Sequence, residues 1–208
     1  MSVNLQKGQR VDLTKGNAGL TRLMVGLGWD EAKRPKDEAK RPKKGGFFAS
    51  LFSASPAAID CDASVLMLDV NGKLSRKEDL IYFGNLRSKC GSVVHTGDNL
   101  TGEGDGDDET ILIEINKIPP NVYKLVFLVN IYDCVRRNQH FGMIENAFIR
   151  VVNASNNQEL IRFNLSENYH GKTTLFAGEI YRHESEWKFA AIGEATNDTS
   201  LGEIVRRY

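Results

Sequence analysis

The chain has 208 residues, 41% of them hydrophobic, and its 27 basic and 27 acidic side chains cancel to a formal net charge of zero. That length supports one sizeable core rather than two domains, and the balanced charge removes any long-range pull toward nucleic acid or anionic lipid, leaving only local clusters to act. The start carries no apolar stretch of a secretory kind and no run of about 18 apolar residues could span a bilayer, so the expected location is the cytoplasm.

Short runs rich in β-branched and aromatic residues recur at 11–13, 23–27, 64–68, 80–83, 110–115, 124–132, 147–152, 159–164, 175–181 and 187–192. Separated by turn signals, they predict an all-β fold, a two-sheet antiparallel β-sandwich. Between the second and third runs the pattern breaks: residues 30–36, Asp-Glu-Ala-Lys-Arg-Pro-Lys, are repeated at 37–43 and followed by Lys44-Gly45-Gly46. A charged, proline-punctuated duplication without large apolar side chains cannot offset the entropy of its own ordering, so residues 31–46 read as an inserted, solvated loop. The cluster Phe47-Phe48-Ala49-Ser50-Leu51-Phe52 after it has two readings, an element packed on the sandwich edge or an arm for a partner or membrane surface. Asn71-Gly72, Cys90-Gly91 and Asn156-Asn157 tolerate positive φ and mark chain reversals. In Ile111-Leu112-Ile113-Glu114-Ile115 the residues at 111, 113 and 115 share one strand face, which should be the core face. Helix signals are few: Pro119-Pro120-Asn121-Val122 predicts a single turn, and Ser200-Leu201-Gly202-Glu203 has capping-box spacing before Ile204 and Val205.

The most informative segment is 97–109, where six carboxylates fall within the twelve residues from Asp98 to Glu109 and no Lys or Arg occurs between Lys89 and Lys117. Such a segment repels itself unless it stays fully solvated or a hard divalent cation neutralises it. Glycines at 97, 102, 104 and 106 let the backbone wrap around an oxygen-coordinated ion, and calcium suits a flexible carboxylate loop better than magnesium. The spacing is not that of an EF-hand, since the third and fifth positions from Asp98 are Leu100 and Gly102. A second pair, Asp60 and Asp62, sits at strand spacing two, which aims both acids to one side. The plain alternative for all of them is a solvated acidic turn with surface aspartates.

Several phrases then follow one another over residues 1–193: Gly26-Leu27-Gly28-Trp29-Asp30, Asp60-Cys61-Asp62-Ala63-Ser64, Val94-His95-Thr96-Gly97-Asp98-Asn99, Thr101-Gly102-Glu103-Gly104 with Gly106-Asp107-Asp108-Glu109, Asn138-Gln139-His140-Phe141-Gly142, and Glu179-Ile180-Tyr181-Arg182 with Glu186-Trp187-Lys188-Phe189. In kind and order they resemble the signatures of TerD-type tellurium-resistance proteins. The resemblance implies a β-sandwich over 1–193, with 194–208 as a tail or short helix, that binds calcium, two ions being expected, and acts in bacterial resistance to tellurite, other chemical stress, phage and colicins. It implies metal ligation by Asp60, Asp62, Asp98, Glu103, Asp107, Asp108 and Glu109, with Asn99 and Asp30 as further candidates. The partners it suggests are other tellurium-resistance and stress-response proteins, membrane-associated ones among them, which would place the protein at the inner membrane face. Two departures stand out. The duplicated loop lengthens a link that is usually short, so Asp30 and Asp60 can share an ion only if the insertion loops out and returns, and Cys61 replaces an aliphatic residue, a small apolar exchange.

Rival functions find less support. Cys61, Cys90 and Cys134 lack Cys-x-x-Cys spacing and read as reduced thiols, and His95, His140, His170 and His183 show no zinc-site pattern. Gly171-Lys172-Thr173-Thr174 echoes a P-loop but has Ser166 where that motif needs glycine. A phosphoesterase using the acidic loop as a two-metal site is the strongest enzymatic rival, and the sequence shows no basic residues beside the acids to hold its phosphate. Trp29, Tyr181 and Trp187 read as core, and the basic loop lacks the interleaved aromatics of a nucleic-acid surface.

Overall fold

The structure, a computed structural model, describes residues 2–17, 19–32, 58–98 and 106–208, with the side chain of Asp98 outside that set. The expectations placed on 33–46 and on Phe47–Phe52 therefore lie outside the described residues, as do Asn99 and Glu103.

Among the described residues, twelve strands form two six-stranded sheets. The first has the order β1 (Val3–Leu5), β10 (Gln158–Asn164), β9 (Ile144–Asn153), β3 (Arg22–Glu31), β7 (Glu109–Glu114), β6 (Val93–Asp98). The second runs β2 (Arg10–Asp12), β12 (Glu186–Thr196), β11 (Thr174–His183), β8 (Lys124–Ile131), β4 (Cys61–Leu68), β5 (Leu80–Ile81). All ten sequence-predicted strands are present. The two additions are β1, three residues long and the one parallel neighbour, against β10, and β6. Glu31 belongs to β3 rather than to the inserted loop, and β12 runs past residue 193 to Thr196.

Side-chain alternation explains the core. Leu23, Val25 and Leu27 of β3 and Ile111 and Ile113 of β7 face Ala63, Val65 and Met67 of β4 and Leu125, Phe127 and Val129 of β8, while Leu112 between them is 37% exposed. Strand β4 is buried on both sides. Its other face carries Leu66 and Leu68 into a second cluster with Val126, Leu128, Phe176 and Ile204, and Asp62 and Ser64 lie on that same face by alternation.

Ile204 comes from the short helix α2 (Leu201–Val205), whose N-cap Ser200 accepts from the Glu203 N–H at 3.3 Å. The return bond of the expected capping box is shifted by one residue: the Glu203 carboxylate accepts from the Thr199 N–H at 2.7 Å. The predicted turn is also found, with the Val122 N–H donating to the Pro119 carbonyl. Asn157, Gly72 and Gly91 adopt positive φ at the expected reversals. No helix among the described residues is long and apolar enough to cross a membrane.

Because the C-terminal helix closes the outer cluster with a fully buried side chain, Ile204→Ala should cost about 2–5 kcal/mol in urea unfolding, while Val135→Ala on an exposed surface should stay within about 0.5 kcal/mol.

Candidate metal centre

Strand register brings the acid-bearing segments to one end of the sandwich. Glu109 opens β7 opposite Leu27 of β3 and opposite Asp98, the last residue of β6, so the end of β3, the end of β6 and the start of β7 lie side by side. The facing sheet contributes the start of β4, because the Ala63 N–H donates to Glu109 Oε2 at 2.6 Å. The insertion meets its geometric requirement: Glu31 Oε1 accepts from the Ile59 N–H at 2.6 Å, so the chain leaves and re-enters at one place.

Electrostatics report the same gathering. Burial pushes the Cys61 thiol up, and the charges of Asp62, Asp60, Glu109 and Asp108 push it further. Burial also raises the Asp108 carboxyl above the usual carboxylate range; the Trp29 N–H, donating to Asp108 Oδ2 at 2.7 Å, opposes this, and Asp30 and Asp107 reinforce it. Asp30, Asp60, Asp62, Asp107, Asp108 and Glu109 thus share one corner.

Their partners differ, and the difference sorts them. Asp107 gives both carboxylate oxygens to Arg150, at 2.7 and 2.8 Å. It lies flat over Gly26, where an added Cβ would stand 2.1 Å from its carboxyl carbon, so only glycine admits this approach. Glu109, 4% exposed, takes the Ala63 N–H and His95 Nε2, the latter at 3.0 Å, on the same oxygen. Asp60 lies 3.5 Å from Arg137 Nη1 and is exposed to solvent. Asp30 accepts from Asn146 Nδ2 at 2.8 Å. Asp62 is buried, directly across from Asn130 of β8. On that face Ser64 Oγ and Asn130 Oδ1 are buried without a hydrogen-bond partner among the described residues.

As a donor set, this corner offers hard oxygens. Asp108, beside two neighbouring charges, carries oxygens of the kind an oxygen-loving divalent cation takes, while Asp62 lies with the orphaned oxygens of Ser64 and Asn130 on the outer face of the second sheet. Both Asp107 oxygens accept from the Arg150 guanidinium, which already supplies that carboxylate with a positive charge. Among the described residues, no three His, Cys, Asp or Glu side chains already converge as a metal-binding group.

Several functional partners escaped the sequence reading. Arg137 and Arg150 bring positive charge to acids that look isolated in the chain, which corrects the view that no basic residue attends them. Arg150 sits opposite Gly26 across β3 and β9, and a glycine inside a strong strand pattern was the signal that something approaches closely there. His140 and His170, scattered in sequence, meet edge to face with ring centroids 4.4 Å apart, and His140 Nδ1 accepts from the Gly142 N–H. All three cysteines are free thiols, and Trp187 is buried beneath the Arg182 guanidinium.

The TerD domain pattern matches residues 1–208. The chain is 61% identical to "Stress response protein SCP2" of Bacillus subtilis (strain 168) over the whole of both chains. It is 43% identical to "Tellurium resistance protein TerD" of Serratia marcescens over 93% of this chain and 91% of that one. Among solved structures, the crystal structure of the protein SAV2460 superposes with a TM-score of 0.63 at 20% identity, covering 90% of this chain and 95% of the other, a likeness of fold.

The crowding of Asp108 has a pH signature. A carboxyl whose folded pKa is raised favours the folded state below its unfolded pKa, and that advantage is lost as pH rises through the folded value. In chelator, Asp108→Asn should therefore be more stable than the parent at pH 7, with the difference shrinking as pH falls through the raised folded value and gone below the ordinary aspartate value of about 4. Thermal melts at both pH values check it.

Proposed function

We propose, from the premise that this chain belongs to the TerD family, that it is a calcium-binding protein of tellurite resistance and the general stress response, acting as an interaction module rather than as a catalyst. The family's members include proteins named for stress response and tellurium resistance. The single observation that carries the calcium reading is Asp108: its carboxyl is raised by burial and by Asp30 and Asp107, and it has no cationic side chain paired with it among the described residues. A divalent cation beside Asp108 would relieve that repulsion.

The residues that would hold the ion are Asp108 and Asp62, with Asp60 and Asp30 at the rim and Asp98, Asn99 and Glu103 contributed by the acidic segment. When bound, the ion supplies fixed positive charge that orders its ligands. The chain's own residues do the remaining work: Arg150 anchors Asp107, the Trp29 N–H orients Asp108, and Arg137 balances Asp60 at the solvent side. A rigid, ion-filled corner is then a surface for another stress-response protein to recognise.

The hydrolase reading gains one point from the structure, since Arg137 beside Asp60 is a cation that a phosphate could meet. Arg137 is nonetheless committed to Asp60 and Asp133, and an activity screen separates the readings. With calcium, magnesium or manganese, the protein should turn over neither a generic phosphomonoester nor a phosphodiester above buffer rates.

Calcium at a hundredfold excess over its dissociation constant should stabilise the fold by ~2.7 kcal/mol. Differential scanning calorimetry with calcium and with chelator measures the shift. Asp62→Asn combined with Asp108→Asn should remove most of it, and an unchanged melting temperature in the parent protein would remove the calcium proposal.

A further inference from the structure

We infer that Glu109, through its Oε2, forms with His95 a positioning pair that holds the acid-bearing segments of the metal centre in place. The inference rests on the calcium reading above for its consequence, but the pin itself is present in the described residues.

Strand β5 covers β4 only at Val65 and Leu66. The Ala63 N–H, two residues earlier and on the same edge, is left without a strand partner, and a buried donor of that kind must be met. Glu109 meets it from the other sheet at 2.6 Å. The same Oε2 receives His95 Nε2 at 3.0 Å, and His95 Nδ1 in turn accepts from the Gly97 N–H at 3.0 Å. That last bond places the imidazole proton on Nε2, so His95 donates to Glu109 as a neutral ring. Both side chains are sealed, Glu109 at 4% and His95 at 2% exposed.

The bonds run from the Gly97 N–H through His95 to Glu109, which also takes the Ala63 N–H, and each anchor is the immediate neighbour of a candidate donor. Gly97 precedes Asp98, Ala63 follows Asp62, and Glu109 follows Asp108. Three acid-bearing segments from two sheets are thereby fixed by one buried oxygen. Partners behind the ligands of a metal site commonly govern affinity by orienting those ligands.

The test compares two variants by calcium titration with equilibrium dialysis. Glu109→Gln keeps a carbonyl oxygen able to accept both bonds, and should retain the parent's ion number with affinity within about threefold. His95→Ala leaves the Glu109 carboxylate in place but breaks the pin, and should weaken affinity about 10-fold or more, with His95→Gln restoring part of it through its own amide donor. Loss of an ion or of about 10-fold affinity in Glu109→Gln, or unchanged affinity in His95→Ala, would overturn the inference. Hydrogen exchange at the Ala63 amide, read in chelator, tests the pin without metal: protection should persist in Glu109→Gln and be lost in Glu109→Ala, and protection unchanged in Glu109→Ala refutes it. Should the parent bind no calcium, the functional proposal fails while this exchange result still stands on its own.

Discussion

Repulsion among carboxylates gathered at one corner of the sandwich is the constraint to which the surrounding structure responds. Two like charges about 4 Å apart repel by roughly 4 kcal/mol at an effective dielectric constant of about 20, a large fraction of the ~5–15 kcal/mol that holds a domain folded. The chain answers part of it internally. Arg150 takes both oxygens of Asp107 and Arg137 stands beside Asp60. Asp108 receives the Trp29 N–H and its own backbone amide, and burial with the charges of Asp30 and Asp107 keeps it raised. Among the described residues, Asp107 and Asp60 thus meet arginines and Asp108 meets none.

The fold makes this arrangement possible because the corner lies where the two sheets meet without a strand to join them. Short β5 leaves the start of β4 open, and β6 and β7 bring the two ends of the acidic segment together opposite β3. A side chain from one sheet closing a backbone donor of the other, as Glu109 does for Ala63, ties the sheets where ladder bonds cannot. Packing and electrostatics are therefore linked: the residues that finish the sandwich at this end also set the spacing of its charges. The opposite face of the second sheet is closed differently, by Ile204 and the C-terminal helix.

Most of the sandwich was legible in the sequence because period-two alternation is a local signal. Ile111 and Ile113 are buried and Leu112 between them is partly exposed, as their alternation requires. Strand β6 was missed because Val93, Val94 and His95 stand among turn and acidic residues that mask a short run, and β1 because three residues at a sheet edge carry almost no pattern. The acids were legible by composition, but their fates were not. Asp107 and Asp108 are adjacent and chemically alike, yet one is clamped by Arg150 and the other is not. Arg150 is 43 residues away and reaches Asp107 only through the register of β3 with β9. His95 likewise looked like one scattered histidine until strand pairing set it against Glu109.

Diffraction from crystals grown in millimolar calcium, with the anomalous signal recorded, addresses the central claim most directly. The account predicts an ion about 2.3–2.6 Å from oxygens of Asp108 and Asp62, with Asp107 still on Arg150. Ordered density in which those two carboxylates meet only water and neighbouring amides, with no ion at the corner, would contradict it.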